Sequence, residues 1–262
     1  MIQQTAQADK FKQQLRESFQ RDSLNSHAVK IARHGNVYTC GDQDGMVYFI
    51  ESGQIKLVML SPEGKECLLA IHGAGDIFGE LCLSGLVSRL ETATAMEETS
   101  LKQIPSFQFL SRLSRDSLFD GFVRYLAGRI ADQQQVIANM VTVDSEQRLG
   151  ETLLQLARTL GKKEARGIRI ELQISHEELS EMVGTTRPRI TLFIQRFQDL
   201  GLIEKSFRRS LIIQKEKLTS YLAVRAAGHV YALRDHSFQN RPVIRRRLFP
   251  KLAERQIESI GR

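Results

Sequence analysis

Residues 174–205, ISHEELSEMVGTTRPRITLFIQRFQDLGLIEK, decide the fold of the second half of this chain. Ser175 followed by Glu178 is a capping box, which predicts the start of a helix, and Gly184 marks its end. A second helix follows, because Pro188 in its first turn would lose no hydrogen bond. Two helices joined by a short glycine turn are typical of a helix-turn-helix motif, whose second helix enters the major groove of DNA.

The second helix presents the residues that we predict to contact DNA. Thr186 is the expected N-cap, and an apolar side is expected to face inward, formed by Ile190, Phe193, Ile194, Phe197 and Leu200. Arginine matches the O6 and N7 atoms of guanine, and cations in the first turn oppose the helix dipole, which indicates an anionic partner. An ordinary surface helix with two arginines is the alternative interpretation. The predicted contacts are Thr185, Thr186, Arg187, Arg189 and Thr191, joined by Arg208 and Arg209 at the tip of a wing-like hairpin over residues 202–214.

The first half of the chain consists of short β-rich runs separated by turn residues. Residues 47–60, VYFIESGQIKLVML, place two such runs around the connector 51–54, which predicts a hairpin. Pro62 and Gly64 predict a second hairpin directly after it. Many short strands at close spacing predict a roll or barrel over residues 27–105.

Residues 119–143 between the two halves have helical periodicity. Side chains three and four positions apart form a mostly apolar seam of Val123, Leu126, Ile130, Gln133, Ile137 and Met140. β-Branched residues at the a-like positions favour parallel pairing of two helices, and packing of this helix on its own roll is the alternative. Asp144 is the expected N-cap of the next helix, so we predict a hinge between domains there.

Composition and charge limit the classes of protein that this chain can represent. Its 262 residues predict two domains, and 42% hydrophobic with 26% charged residues is typical of a globular protein. Three cysteines without metal-binding spacing and the lack of an apolar leader predict a cytoplasmic protein without a disulfide scaffold, a metal site or contact with a membrane. No nucleophile elbow, zinc-protease or phosphate-loop motif is present, so we expect no enzyme and no catalytic residues.

The positive charge is concentrated at the end of the chain. The whole sequence carries a net charge of +7, while residues 216–262 alone hold ten lysines and arginines against four acidic residues. A further helix is predicted at residues 221–233. The basic remainder is interpreted either as a solvated tail or as an arm that adds contacts to DNA phosphates.

Five segments of the first half, Gly41-Asp42, VYFIESGQIKL, SPEGKE, GAGDIFGELCL and ETATA, resemble the cyclic-nucleotide-binding β-roll of the CRP/FNR transcription regulators. Residues 174–205 are similar to the winged helix-turn-helix of the same family, so the resemblance covers about residues 27–217. It implies an α+β fold with an N-terminal double-stranded β-roll, a long dimerisation helix and a C-terminal winged helix-turn-helix. The expected segments are an N-terminal helix (1–26), the roll (27–118), the dimerisation helix (119–143), the DNA-binding domain (144–217) and a basic extension (218–262).

The resemblance also implies a function. It predicts a homodimeric regulator that binds palindromic double-stranded DNA, with RNA polymerase as a further partner in activation. Many members pair an arginine with a base-reading glutamate; here Arg187 matches the arginine and Pro188 replaces the glutamate, so Arg189 is expected to share the reading of bases. The alternative is a ligand-binding interaction protein whose helix-turn-helix contacts protein.

The effector site that the resemblance implies is altered in this chain. Gly79, Glu80 and Arg89 match the residues that hold the ribose and phosphate of cyclic AMP, with Glu80 as a candidate ion-pair partner of Arg89. A leucine replaces the serine expected at position 90, and Gln133 and Gln134 replace the polar residues expected against adenine. These changes argue against cyclic AMP and leave another nucleotide, another small anion or no ligand. Gln133 would alternatively fix the register of a dimer, and no cofactor is assigned.

Overall fold

The computed structural model describes residues 2–21, 27–171, 174–206 and 210–236. One compact unit spans Met1–Ala223, and the second unit, Val224–Arg262, is described only where the last helix continues. The basic stretch 237–262, interpreted above as a tail or an arm, lies outside the described residues. None of the helices described has the length and apolar character needed to cross a bilayer.

The N-terminal half is a roll of two four-stranded antiparallel sheets. The first sheet has the order β1 (His27–Ile31), β8 (Thr99–Pro105), β3 (Met46–Ser52) and β6 (Ile77–Phe78). The second has the order β2 (Asn36–Tyr38), β7 (Thr92–Ala95), β4 (Gln54–Leu60) and β5 (Glu66–Gly73). A 3-10 helix, Glu80–Ser84, lies between β6 and β7. This arrangement is the predicted roll.

The first predicted hairpin is wrong, because β3 and β4 belong to different sheets. Gly53 between them has a φ of 93°, and a Cβ atom there would lie 2.7 Å from the Cα atom of Thr99. The backbone approaches too closely for a side chain, and the chain turns a corner from one sheet to the other. The second predicted hairpin is confirmed: β4 pairs with β5, and the Ser61 amide donates to the Lys65 carbonyl at 2.9 Å.

Helices α1 (Ile2–Arg21), α2 (Ser106–Arg115) and α3 (Phe119–Thr142) cover one side of the roll. Phe11 of α1 packs against Phe122 and Tyr125 of α3, with ring centroids 6.0 and 5.5 Å away. Helix α3 therefore contacts its own subunit through this face. Of the predicted seam, Leu126 packs partly against this cluster, and the other five residues are exposed, for example Ile130 and Ile137.

The C-terminal part begins directly after α3. It consists of α4 (Ser145–Leu160), β9 (Lys162–Glu164), β10 (Gly167–Glu171), α5 (His176–Val183), α6 (Arg187–Asp199), β11 (Ile203–Ser206), β12 (Ser210–Ile213) and α7 (Lys215–His236). Asp144 caps α4 as predicted, since its Oδ1 accepts from the Gln147 amide at 2.9 Å. The four strands pair in the order β11, β12, β10 and β9.

The outer face of the second sheet packs against this C-terminal part. Val58, Leu68 and Ile71 are buried in one cluster with Leu149 and Leu153 of α4. The roll and the helix-turn-helix thus share a continuous apolar core, so the position of α5 and α6 depends on the roll.

Candidate nucleic-acid interface

The first helix of the motif is fixed by the capping box at Ser175. The Ser175 hydroxyl accepts from the Glu178 amide at 3.1 Å, and Glu178 Oε2 accepts from the Ser175 amide at 2.8 Å. Gly184 ends α5 with a φ of 66°, and a Cβ atom there would lie 3.1 Å from the sulfur of Met140 on α3. The left-handed backbone of this turn favours glycine, and the turn lies beside the side chain of Met140 on α3.

Helix α6 begins without a side-chain cap. Thr186 occupies the N-cap position with extended backbone, but its hydroxyl makes no capping hydrogen bond, so that part of the prediction is wrong. Pro188 lies within the first turn, where a missing N–H costs nothing. The uncapped N–H groups at this end are positioned to interact with an anion.

The predicted DNA contacts in and before α6 differ in their exposure and in their hydrogen bonds within the protein. Arg187 and Arg189 are exposed, and within the described ranges their guanidinium groups make no ion pair or hydrogen bond. Thr185 is half-buried. Thr191 is engaged inside the motif, since its hydroxyl lies 2.9 Å from Nδ1 of His176 and donates to the Arg187 carbonyl at 3.2 Å. The two arginines are thus the groups most available to an outside partner.

The inward face of α6 is shorter than predicted. Ile190, Ile194 and Phe197 are buried and Phe193 is partly buried, but Leu200 leaves 50% of its surface exposed. The helix ends at Asp199, so the periodicity no longer directs Leu200 toward the core.

Two outward residues of α6 are absent from the predicted set. Leu192 is 64% exposed, and Gln195 is exposed on the same side of the helix. Their signal was available in the sequence, since both lie opposite the inward residues Ile190 and Ile194 on a helical wheel. Arg196 beside them points elsewhere, because its Nη1 lies 3.2 Å from Oε2 of the buried Glu146.

The predicted wing is a hairpin of β11 and β12, with Ser206 opposite Ser210. Arg208 and Arg209, which were predicted at its tip, lie outside the described residues. Lys205 in the stem of this hairpin lies near the motif. Burial lowers the pKa of His176, and the positive charges of Lys205 and Arg187 lower it further. The cations lie at the amino-terminal end of α6, in Arg187 and Arg189, whereas the first turn of α5 carries Glu177 and Glu178. A cationic helix end of this kind favours an anionic partner.

The candidate effector residues are only partly assembled. Arg89 is 5% exposed and donates to the carbonyls of Gly79 at 2.7 Å and Met46 at 2.6 Å. It also forms an ion pair with Asp44, and the ring centroid of Tyr38 lies 4.2 Å from the guanidinium carbon. Burial alone would lower the pKa of Arg89, but the hydrogen bond and charge of Asp44 raise it. Arg89, which the resemblance matches to the residue that holds the phosphate of cyclic AMP, is therefore paired with the carboxylate of Asp44 inside the protein.

Glu80 does not pair with Arg89, which corrects the predicted ion pair. Its Oε1 lies 2.8 Å from Nη1 of Arg129 on α3, so Glu80 links the 3-10 helix to α3. Gln133 and Gln134 are exposed one turn further along α3, and within the described ranges no hydrogen bond joins them to Glu80 or Arg89.

The space beside Arg89 is small. About 210 Å³ of empty volume is bordered mainly by two acidic and three leucine side chains: Asp44, Glu91, Leu81, Leu86 and Leu90. Asp44 is absent from the predicted site, and it lies 45 positions before Arg89 in the chain. In the ranges described, no group of three or more histidine, cysteine or acidic side chains is placed to bind a metal ion.

Two domain families match the chain. The description "Cyclic nucleotide-binding domain" matches residues 28–116, and "Crp-like helix-turn-helix domain" matches residues 147–221. The fold and these two matches thus define a helix-turn-helix transcription regulator with a cyclic-nucleotide-binding-like roll. Similar curated proteins include the "CRP-like cAMP-activated global transcriptional regulator" of Mycobacterium tuberculosis, 28% identical over 72% of this chain and 85% of the relative. The "Global nitrogen regulator" of Synechococcus elongatus is 29% identical over 65% of this chain and 78% of the relative.

Solved structures agree with these matches. A CooA variant from Carboxydothermus hydrogenoformans has a TM-score of 0.59 and 27% identity, covering 76% of this chain and 88% of that one. A CRP-family transcriptional regulator from Thermus thermophilus has a TM-score of 0.58 and 27% identity, covering 76% and 96%. FixK2 from Bradyrhizobium japonicum, with a TM-score of 0.65, 18% identity and coverage of 75% and 97%, supports the fold alone. The chain belongs to the CRP/FNR family of transcription regulators.

Proposed function

We propose that this protein is a cytoplasmic, homodimeric regulator that binds a palindromic DNA sequence under the control of a small effector in the β-roll. The observation that carries the proposal is the amino-terminal end of α6. Arg187 and Arg189 are exposed there, without an internal ion-pair partner among the described residues, at an uncapped helix end. This combination suits base edges and phosphates of a duplex.

The exposed seam of α3 supports dimerisation. Ile130 and Ile137 leave 55% and 67% of their surfaces exposed, although Phe122 and Tyr125 of the same helix are buried against the roll. A second copy of α3 would cover this seam in a parallel pair. Two-fold symmetry then places the two copies of α6 about 34 Å apart, one turn of DNA, on a palindromic site.

The buried Arg89 supports control by a small anion, a nucleotide or another acid. Such an effector would have to compete with Asp44 for the guanidinium, and movement of the 3-10 helix would reach α3 through the ion pair of Glu80 and Arg129. In activation, RNA polymerase would be a further partner of the DNA-bound dimer.

Selection of bound duplexes from a random pool tests the proposal. The full chain is used with and without cyclic AMP, cyclic GMP or inorganic phosphate. We expect enrichment of a two-fold symmetric sequence, with a yield that depends on one of these anions. Binding of every duplex with equal affinity would reject sequence-specific recognition and favour the alternative, a helix-turn-helix that contacts protein.

A further inference from the structure

The outward face of α6 carries an apolar ridge. It consists of Pro188 and Leu192, with the polar Gln195 next along the same side, because residues three and four apart share a face. This side is opposite the buried Ile190 and Ile194. Leu192 is 64% exposed and Pro188 is exposed as well, so the first two turns of α6 present apolar side chains to the outside.

This ridge lies between the two arginines that we predict to contact DNA. A single exposed leucine on a protein surface needs no explanation. Here two apolar side chains adjoin at i and i+4, and Arg187 and Arg189 lie on either side of Pro188 around the helix. A helix that contacted phosphates alone would gain nothing from apolar groups between its cations.

Thymine is the base whose major-groove edge carries an apolar group, its C5 methyl. We propose that Leu192, supported by Pro188, reads the C5 methyl group of one thymine in each half-site. The inference rests on the proposed function, and it adds a specificity-determining residue and the chemical feature that it recognises. Contact with the methyl group would remove the exposed leucine side chain from water.

Replacement of thymine by deoxyuridine tests this directly, because the two bases differ only by the methyl group. Each thymine of a duplex selected by the full chain is replaced singly. At one position in each half-site we expect the wild-type protein to bind the uracil duplex about fourfold more weakly, the effect of one lost apolar carbon. Leu192→Ala is expected to bind both duplexes equally.

Leu200→Ala is the matched control. It makes the same change just beyond the carboxyl-terminal end of α6, on a leucine that is 50% exposed, and is expected to keep the fourfold preference. Wild-type protein that is indifferent to uracil at every position, or Leu192→Ala that keeps the preference, would overturn the inference and leave the proposed function intact. A chain that enriches no sequence from the pool overturns both.

Discussion

Lys56 of the roll and Glu178 of the helix-turn-helix form an ion pair in which Nζ lies 2.6 Å from Oε1. The side chains are 20% and 18% exposed, and 122 positions separate them in the sequence. Glu178 also closes the capping box of Ser175. One carboxylate therefore joins strand β4 to the start of α5, so the roll and the DNA-binding motif are connected by charge as well as by apolar packing.

Removal of this contact should destabilise the protein. Burial acts to raise the pKa of Glu178, but the hydrogen bond from Lys56 holds it below its ordinary value. Lys56→Met is expected to lower the free energy of unfolding by about 1 kcal/mol at pH 7, measured by urea denaturation. Lys162→Met is the control, because Lys162 is 68% exposed and lies 3.6 Å from Glu171. Equal effects of the two variants would contradict a linking role for Lys56.

Stability in acid should depend on Asp76, which is buried beneath α1. Its Oδ2 accepts from the Gly73 amide at 2.9 Å, and its Oδ1 lies 2.5 Å from Nζ of Lys12. Burial opposes the charged carboxylate, yet the hydrogen bond from His72 and the charge of Lys12 keep its pKa well below the usual value. A lowered pKa means that this contribution is complete above about pH 4 and is lost as the pH falls toward the folded-state value.

Asp76→Asn should therefore remove about 3 kcal/mol at pH 7 and less at pH 3, which urea denaturation between those values measures. Asp120→Asn is the control, since Asp120 is 80% exposed in its pair with Arg124. If Asp76→Asn lowered stability equally at pH 7 and pH 3, the buried ion pair would not be the cause.

Asp44 should restrict the binding of anions to the roll. Asp44→Asn removes the negative charge beside Arg89 and keeps a similar shape. We expect this variant to bind cyclic AMP at least tenfold more tightly than wild type by isothermal titration calorimetry, a change of about 1.4 kcal/mol. Asp42→Asn, an exposed acidic residue nearby, should leave the affinity unchanged. Equal affinities for wild type and Asp44→Asn would show that Asp44 does not compete with the ligand.

Dimerisation should depend on the seam of α3. Ile137→Glu places a charge on a side chain that is 67% exposed in one subunit and should convert the dimer to a monomer in light-scattering measurements. Val224→Glu, at a valine that is 72% exposed on α7, should leave the dimer intact. A dimer that survives the first change would have to use another surface.

The sequence predicts the structure well where the deciding contacts are local. The capping box of Ser175 and the proline in the first turn of α6 act within four residues, so their patterns predict the helix-turn-helix directly. Prediction failed where partners are distant. Strand β3 pairs with β8 and not with the adjacent β4, and the partner of Arg89 comes from 45 positions earlier. Such pairings depend on how the whole roll closes.

The most direct test concerns Arg189, to which we assign the reading of bases. Affinities of wild type and Arg189→Ala are measured for the selected duplex and for a random duplex of equal length at the same salt concentration. We predict that the variant loses about 1 to 3 kcal/mol on the selected duplex, with little change on random DNA. An equal loss on both duplexes would contradict base reading and reduce Arg189 to a phosphate contact.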